Sequence, residues 1–336
     1  MTNANASAPA PLVLARAQWL TQAREHAARA DALTAEWRDR RTAGQKHPIE
    51  DFLFTYYSYK PAQLRRWHPG AGIELADAAA DPRATWRFST QGETPGSITL
   101  DESGLWGARA PEFKAIRAIL HGTASRAAGF GCFGLHEWAM VYRQEEHRHE
   151  VPLRLGQRGT DEVVEASDIR CTHFDAYRFF TPEAAPRNQL TPTRETQAAL
   201  EQPGCLHAGM DLYKWATKLG PLIGGTLLLD TFELARDIRW LDMRASPYDV
   251  SAWGAEAVPI ETPEGKAEYA RAQRGFSERG QVLRGRLLAA LDAIVPAPIP
   301  PAPRETMPVW AQSPTRLPSP RRLQSPHRPN TPPPSR

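Results

Sequence analysis

The chain has 336 residues, of which 41% are hydrophobic, enough apolar content for the buried core of one large domain or two small ones. Its formal net charge of +3 is unevenly spread. Residues 301–336 contain six Arg and one Glu, which leaves 35 basic and 37 acidic residues in positions 1–300. The first 300 residues therefore lack the overall positive field that would attract nucleic acid or an anionic membrane. Three Cys in a chain of this length do not suggest a disulfide framework.

The sequence shows no evident signal peptide and no evident membrane-spanning segment. Residues 1–11 are polar and alanine-rich, without the basic start and apolar run of a signal peptide. The most apolar stretch, 219–229, is interrupted by Gly and Pro and is too short to span a bilayer. We expect a cytoplasmic protein with no membrane partner.

The first hundred residues predict a long helix, an aromatic segment and a hairpin. Ala, Arg, Glu and Gln dominate residues 12–41, and apolar side chains recur there at roughly helical spacing. Residues 49–67 are crowded with aromatic side chains. The alternation of residues 85–89, a Gly-rich turn and the apolar residues 97–100 indicate a hairpin.

The middle of the chain predicts a mixture of helices and short strands. Helices are expected at 111–120, with Pro111 in the first turn, and at 135–144. The mixed segment that follows predicts short strands at 152–155, 163–165 and 169–174.

The last part of the folded region predicts helices at 211–219, 225–241 and 263–294. Asp211 is expected to cap the first of them, and Thr262 the last. From 296 onward the sequence is rich in Pro and Arg, a composition typical of disorder. We therefore predict a predominantly α-helical α+β fold with a small sheet or hairpins. Residues 1–10 form a flexible N-terminus, 11–295 a single globular domain and 296–336 a disordered tail.

Each cysteine is followed closely by a histidine, and this pairing is the main indication of chemistry. Thiolate and imidazole are good ligands for zinc or iron, and spacings of two and four suit one face of a strand or helix. The alternative is that the cysteines are small buried apolar residues and the histidines part of the core. The candidate metal ligands are Cys132, His136, Cys171, His173, Cys205 and His207.

Two of these segments share a longer pattern, Cys-x-His followed by Asp-x-Tyr-basic-aromatic. The pattern begins at Cys171 and again at Cys205, and we expect the two segments to meet in space. It repeatedly combines groups that catalytic pockets use for acid–base work and for holding anions. The candidate catalytic residues are Asp175, Asp211, His173, His207 and Glu137. The candidate substrate-binding residues of these segments are Tyr177, Arg178, Tyr213 and Lys214.

The aromatic segment 49–67 contributes Tyr56, Tyr57 and Trp67 as further candidates for substrate binding. Aromatic side chains beside Lys and Arg can stack bases and hold phosphates. The other interpretation is core packing with a basic, solvated edge.

Five stretches of the sequence resemble a family of actinobacterial proteins commonly labelled methyladenine DNA glycosylase, over about residues 45–275. They are His47-Pro-Ile-Glu-Asp-Phe-Leu-Phe-Thr-Tyr-Tyr, Trp67-His-Pro-Gly, Phe133-Gly-Leu-His-Glu-Trp-Ala-Met-Val-Tyr-Arg, Glu201-Gln-Pro-Gly-Cys-Leu-His and Leu241-Asp-Met-Arg-Ala-Ser-Pro-Tyr-Asp. The resemblance implies excision of an alkylated purine from DNA. A flipped base would then be sandwiched between aromatic side chains, and a carboxylate, Asp175 or Asp211, would act on it.

Two other functions remain open on the residues alone. One is a metal-dependent enzyme that acts on a small molecule through the Cys/His pairs. The other is a non-catalytic binding protein. The charge around the site separates the DNA hypothesis from the small-molecule hypothesis, because DNA requires a basic rim.

Overall fold

Helices account for more than half of the residues that the computed structural model describes, 11–145 and 151–295. In chain order the helices are α1 (Arg16–Thr42), α2 (Asp51–Tyr56), α3 (Pro61–Leu64), α4 (Glu102–Ala124), α5 (Leu135–Ala139), α6 (Gly156–Glu165), α7 (Phe174–Tyr177), α8 (Gln197–Leu200), α9 (Leu206–Leu219), α10 (Gly225–Arg244) and α11 (Pro263–Ile294). The predicted class, a mainly helical α+β fold with a small sheet, is confirmed.

The helices α9 and α10 form the centre of the core and pack along each other. Gly209 makes this close packing feasible, because a Cβ atom at that position would lie 2.8 Å from Cδ1 of Ile238. The long helices α4 and α11 cover other sides of α9. Side chains of α9 therefore face the protein interior on nearly every side, and a polar side chain there needs a partner.

The sheet has four short strands, β1 (Leu12–Leu14), β2 (Ile73–Leu75), β3 (Ser89–Gln91) and β4 (Ile98–Leu100). Their order is β1-β2-β4-β3. The first pair is parallel and the other two pairs are antiparallel. The predicted hairpin is present as β3 and β4, although its first strand begins later than expected, after a 3₁₀ turn at Pro82–Thr85. The sheet covers one end of α1 through a small core of its own around Trp19 and Trp67.

Several predicted boundaries are wrong for identifiable reasons. Residues 12–14 pair with β2 as a strand, and α1 begins only after Ala15, whose backbone N–H donates to the side chain of Gln18. Helix α4 begins at Glu102, where Asp101 accepts from the N–H of Gly104, so that Pro111 lies inside the helix and not in its first turn.

The three short strands predicted in the middle of the chain are not present in the described residues. Residues 163–165 belong to α6, which buries Val164 on its inner face, and residues 152–155 and 169–174 contribute only isolated bridges, from Leu153 to Tyr248 and from Ile169 to Asn188. Short apolar runs fit either a strand or a buried helix face, and the packing of this segment decided between them.

The last long helix follows its prediction closely. Helix α11 has the predicted bounds, and the Thr262 hydroxyl accepts from the N–H of Gly265 as an N-cap. The compact unit that contains these helices ends at Val295. The predicted tail at 296–336 lies outside the described residues, as does the N-terminus at 1–10. Among the described helices, none is both long and apolar enough to cross a bilayer.

Candidate functional site

One face of α9 presents three polar side chains to the interior. His207, Asp211 and Lys214 are separated by four and three residues, the spacing at which side chains lie above one another on a helix. Cys205 is the N-cap of α9, so the prediction that Asp211 caps this helix is wrong. The chain turns into the helix just after Pro203, one and a half turns earlier than expected, which places Asp211 in the helix interior.

Asp211 is instead held by side chains from three directions. Its Oδ2 accepts from Lys214 Nζ at 2.8 Å and from His173 Nε2 at 3.3 Å, and its Oδ1 accepts from the Tyr57 hydroxyl at 3.4 Å. Burial opposes the ionisation of Asp211, but Lys214 and His173 outweigh it and hold its pKa well below the ordinary range. Lys214 also donates to Asp175 at 2.8 Å, so one ammonium group bridges the two predicted catalytic carboxylates.

His173 has a defined tautomer because it caps α7. Its Nδ1 accepts from the backbone N–H of Ala176 at 3.3 Å, so Nε2 carries the proton. Nε2 faces two carboxylates, Asp211 at 3.3 Å and Glu201 at 3.2 Å. Burial lowers the pKa of His173, but Glu201 and Asp211 outweigh it and raise the pKa. The Nε2–H of His173 is thus directed at two buried carboxylates, those of Glu201 and Asp211.

A second buried group consists of His136 from α5, His207 from α9 and Asp242 from α10. Nε2 of His136 and Oδ1 of Asp242 lie 3.0 Å apart, and the His136 and His207 rings are edge to face with centroids 4.3 Å apart. One ligand atom from each residue falls within 4.8 Å of the others. The pKa of His207 lies well below its usual value, mainly because the ring is buried and secondly because His136 is close to it. A neutral imidazole is the form that binds metal.

The two groups differ in how their polar atoms are satisfied. Although His136 Nε2 and Asp242 Oδ1 are only 3.0 Å apart, they are not aligned for a hydrogen bond, and neither atom has another hydrogen-bond partner in residues 11–145 and 151–295. Within the same ranges, the atoms of His173, Glu201 and Asp211 leave no such pair unsatisfied. Buried polar atoms without partners are rare and costly, so the His136 group is the one that lacks an occupant.

Arg239 ties the His136 group to Glu137. Its Nη1 donates to Asp242 Oδ2 at 2.9 Å and to Glu137 Oε1 at 2.8 Å. Burial opposes the ionisation of Asp242, but His136 and then His207 and Arg239 outweigh it and hold its pKa well below the ordinary range. Asp242 therefore offers an ionised Oδ1 while Arg239 fixes its other oxygen.

The three cysteines line one cavity together with His136 and His207. All three are free thiols, and burial raises their pKa values, that of Cys171 to about 12. Neither of the two possible metal-binding groups found among the described residues includes a cysteine. The predicted segments around Cys171 and Cys205 do meet, since the rings of His173 and His207 are 5.3 Å apart.

The local structure corrects the expected geometry of the Cys/His pairs. Cys132 precedes α5, whose N-cap is Gly134, so Cys132 and His136 do not share a helix face. Residues 171–173 are not a strand either, and the Cys171 thiol donates to the carbonyl of His173. The assignment of the cysteines as metal ligands stays a prediction.

An aromatic cleft lies beside His207 of the second group and beside Asp175, and it has a volume of about 900 Å³, including open solvent at its mouth. Its lining residues include Phe52, Tyr56, Glu137, Met140, Asp175, Phe179, His207 and Arg239. The rings of Phe52 and Tyr56 are stacked, with centroids 4.9 Å apart and an interplanar angle of 10°. This lining, mostly aromatic and apolar with a few charged groups, is typical of a small-molecule site.

The other predicted substrate-binding residues are not among those that line this cleft. Tyr57 and Tyr213 pack edge to face beneath it, and Arg178 pairs with Asp175 at 3.2 Å. Tyr177 packs on Phe180. Trp67 is buried in the small core of the sheet and is not among the residues that line the cleft.

Three residues of the site were not predicted from the sequence: Glu201, Arg239 and Asp242. Glu201 and Asp242 stand in two of the stretches that resemble the glycosylase-labelled family, but no spacing rule singled them out. Arg239 and Asp242 are charged residues on the largely apolar buried side of α10, which is the signal that could have identified them. Comparison of the chain with models of protein families, with curated proteins and with solved structures finds no match.

Proposed function

We propose that the protein is a metalloenzyme that acts on a small molecule, and that His136, His207 and Asp242 hold its divalent metal ion. The observation that carries this proposal is the pair of buried, unsatisfied atoms, His136 Nε2 and Asp242 Oδ1, 3.0 Å apart. Ligand atoms at about 2.0–2.2 Å from one ion lie about 3 Å from each other and point at the ion, which explains why they are not aligned for a hydrogen bond.

The ligand set supports a catalytic ion over a structural one. Structural zinc sites are closed by four protein ligands, whereas catalytic sites keep at least one position open. Two imidazoles and one carboxylate suit zinc or iron(II) and leave positions for water or substrate. Arg239 fixes the second oxygen of Asp242, the kind of outer contact that orients a metal-bound carboxylate. His207 also lines the aromatic cleft, so a bound substrate would lie beside the ion.

Metal analysis of the purified protein tests this proposal. We expect about one zinc or iron per chain, and a large loss of metal in His207→Gln and Asp242→Asn. His173→Gln is the control, because His173 is a buried histidine one group away whose Nδ1 is already used as a helix cap. Circular dichroism confirms that each variant is folded. Metal-free wild-type protein, or loss of metal in His173→Gln but not in His207→Gln, would contradict the assignment.

We place this activity in the cytoplasm. The three cysteines are free thiols, as expected in a compartment that keeps thiols reduced. Cell fractionation with an antibody against the native chain tests this location.

The DNA glycosylase activity implied by the family resemblance is a second candidate. It is favoured by the stacked Phe52 and Tyr56 rings, which lie on the wall of the same cleft as Asp175. A planar base could stack on such a pair while a carboxylate acts on its sugar. The test is release of methylated bases from alkylated DNA by the wild type and by Asp175→Asn and Asp211→Asn. If the wild type releases none under conditions where an established glycosylase does, this candidate is eliminated.

A further inference from the structure

A cavity beside the sheet lies apart from the proposed metal group and shares no lining residue with the two cavities described above. It has a volume of about 410 Å³, including open solvent at its mouth, so a ligand can reach its lining from outside. The sheet and the neighbouring loops supply an apolar lining that consists of Pro69, Leu75, Ile98, Leu100 and Pro221.

Three arginines gather around the mouth of this cavity. Arg83 and Arg87 belong to its lining, together with the aromatic side chains of Trp86 and Phe88. The guanidinium of Arg83 lies 5.4 Å from the centroid of Trp86, and that of Arg87 lies 4.6 Å from the centroid of Phe88. Arg66 lies over Trp86 as well, at 5.3 Å. The aromatic rings therefore hold three cationic groups at one opening.

Most of this positive charge has no partner of opposite sign. Arg83 pairs with Asp81 at 2.9 Å, whereas the exposed Arg66 and Arg87 make no ion pair with any residue that the structure describes. The imidazole of His68, which also lines the cavity, responds to the same charges. Burial, followed by Arg66 and Arg83, lowers its pKa to about 4, so it faces the cavity as a neutral ring at neutral pH.

The backbone on one side of the cavity is strained. Phe88 has a φ of +64°, in the left-handed region that bulky side chains rarely adopt. The carbonyl of Phe88 accepts from the N–H of Asp101 at 2.8 Å, which fixes this conformation. The carboxylate of Asp101 in turn accepts from Gly104 as the cap of α4. Strained residues of this kind cluster at sites that bind ligands.

We infer that this cavity is a second ligand site, which binds a small organic phosphate with a compact apolar body. The body would lie against Leu75 and Leu100, and the phosphate at the mouth against Arg83 and Arg87, with Arg66 adding positive charge. A phosphate monoester suits three guanidinium groups better than a carboxylate does, because it offers three strong acceptor oxygens and nearly two negative charges.

Calorimetric titration of the full-length protein tests the inference with four probes: phenyl phosphate, inorganic phosphate, benzyl alcohol and benzoate. We expect phenyl phosphate to bind at least about 10-fold more tightly than any of the others, since it alone combines an apolar ring with a phosphate. No binding of phenyl phosphate would overturn the inference. Equal affinity for inorganic phosphate would also overturn it, because the apolar cavity would then contribute nothing, and equal affinity for benzoate would overturn the choice of phosphate.

Arg87→Gln places the site, because Arg87 is exposed and its loss leaves the core untouched. We expect this variant to bind phenyl phosphate about 10-fold to 100-fold more weakly, the effect of losing a hydrogen bond between charged groups. Arg65→Gln is the matched control. It removes the same charge from a side chain that is 57% exposed, but Arg65 pairs with Asp31 at 2.9 Å and does not line the cavity.

The control should bind phenyl phosphate as the wild type does. An equal loss in Arg65→Gln and Arg87→Gln would show a diffuse attraction of phosphate to basic side chains and would overturn the site. A peptide that carries phosphotyrosine presents the same chemical group on a protein. Tighter binding of such a peptide than of phenyl phosphate would overturn the assignment to a free small molecule.

Discussion

At the scale of single residues, the interior around the site contains several charges that stabilise one another. Lys214 is bonded to two carboxylates, Asp175 and Asp211, and Arg239 to two more, Glu137 and Asp242. Pairs of this kind need not stabilise a fold relative to apolar residues, but the loss of one partner leaves an uncompensated charge inside. Retention of so many buried charges beside one cleft is therefore better explained by a functional role than by stability.

Removal of the Lys214 ammonium should destabilise the protein strongly. In Lys214→Met, Asp175 and Asp211 lose their shared cation, and the expected cost is about 3 kcal/mol in the free energy of unfolding. Lys218→Met is the matched control one turn along the same helix. Its side chain is 46% exposed and pairs with Glu112, so the expected loss is below about 1 kcal/mol. Urea denaturation of the two variants provides the comparison, and equal losses would show that the Lys214 pairs are not effectively buried.

His68 should make stability depend on pH below neutrality. Burial, together with Arg66, Arg83 and His26, lowers the pKa of its imidazole to about 4. In the unfolded chain the imidazole takes up a proton at about pH 6.5, whereas in the folded protein it does so only at about pH 4. The stability of the folded protein therefore falls as the pH decreases through this window. The expected contribution is roughly 3 kcal/mol near pH 4, from about 1.4 kcal/mol per pKa unit.

The measurement is the free energy of unfolding of wild type and His68→Gln at a series of pH values between 7 and 4. Glutamine does not titrate, so the difference between the two curves should shrink or reverse toward low pH. Curves that remain parallel would mean that the His68 ring is protonated in the folded protein at an ordinary pKa.

At the scale of elements, the site is assembled from long helices and from the short segments that pack on them. Helix α9 supplies His207, Asp211 and Lys214 from one face, and α10 supplies Asp242 from its last turn. Helix α8 packs on α4 and leads directly into Glu201, whose carboxylate accepts from Gln197. The packing of α8 on α4 therefore sets the position of one carboxylate of the site.

Two glycines of α4 should respond in opposite ways to replacement by alanine. Gly122 faces α8, and a Cβ there would lie 2.3 Å from the carbonyl oxygen of Ala198, a backbone atom that cannot move aside alone. We expect Gly122→Ala to lower the free energy of unfolding by about 1–3 kcal/mol through overpacking. At Gly107 a Cβ meets nothing within 4 Å, so Gly107→Ala should raise it by about 1 kcal/mol through helix propensity. Thermal or urea unfolding measures both, and a stable Gly122→Ala would show that α8 shifts easily.

At the scale of the whole molecule, two cavities meet at the proposed metal group. The thiol-lined cavity and the aromatic cleft both include His207 in their walls. The cleft is bordered by helices from distant parts of the chain, α2, α5, α7, α9 and α10. The site therefore exists only when the core of residues 11–295 is assembled.

Removal of residues 296–336 should leave that core intact. These residues lie outside the described structure, and the prediction rests on their composition, which is rich in Pro and Arg with few apolar side chains. A protein that ends at Val295 should have the same thermal midpoint and the same metal content as the full chain. A clear drop in either would show that the tail packs on the rest of the protein.

The sequence alone determined those features that depend on local periodicity and on caps. Helix α11 follows from its repeating apolar positions and the Thr262-Pro263 start, and the helical class follows from composition. The repeated Cys-x-His segments also indicated correctly that residues around 171 and 205 meet. These signals come from residues that are close together in the sequence, so they can be recognised without the tertiary structure.

The tertiary structure decided which of the candidate groups face each other. Asp211 became an interior helix residue, and not a cap, because α9 begins at Leu206. Asp242 and Arg239 entered the site only because α10 packs along α9 and brings its last turn to His136 and His207. Contacts between residues about a hundred positions apart leave no trace in local spacing, since they depend on how helices pack and which buried polar atoms must then find partners.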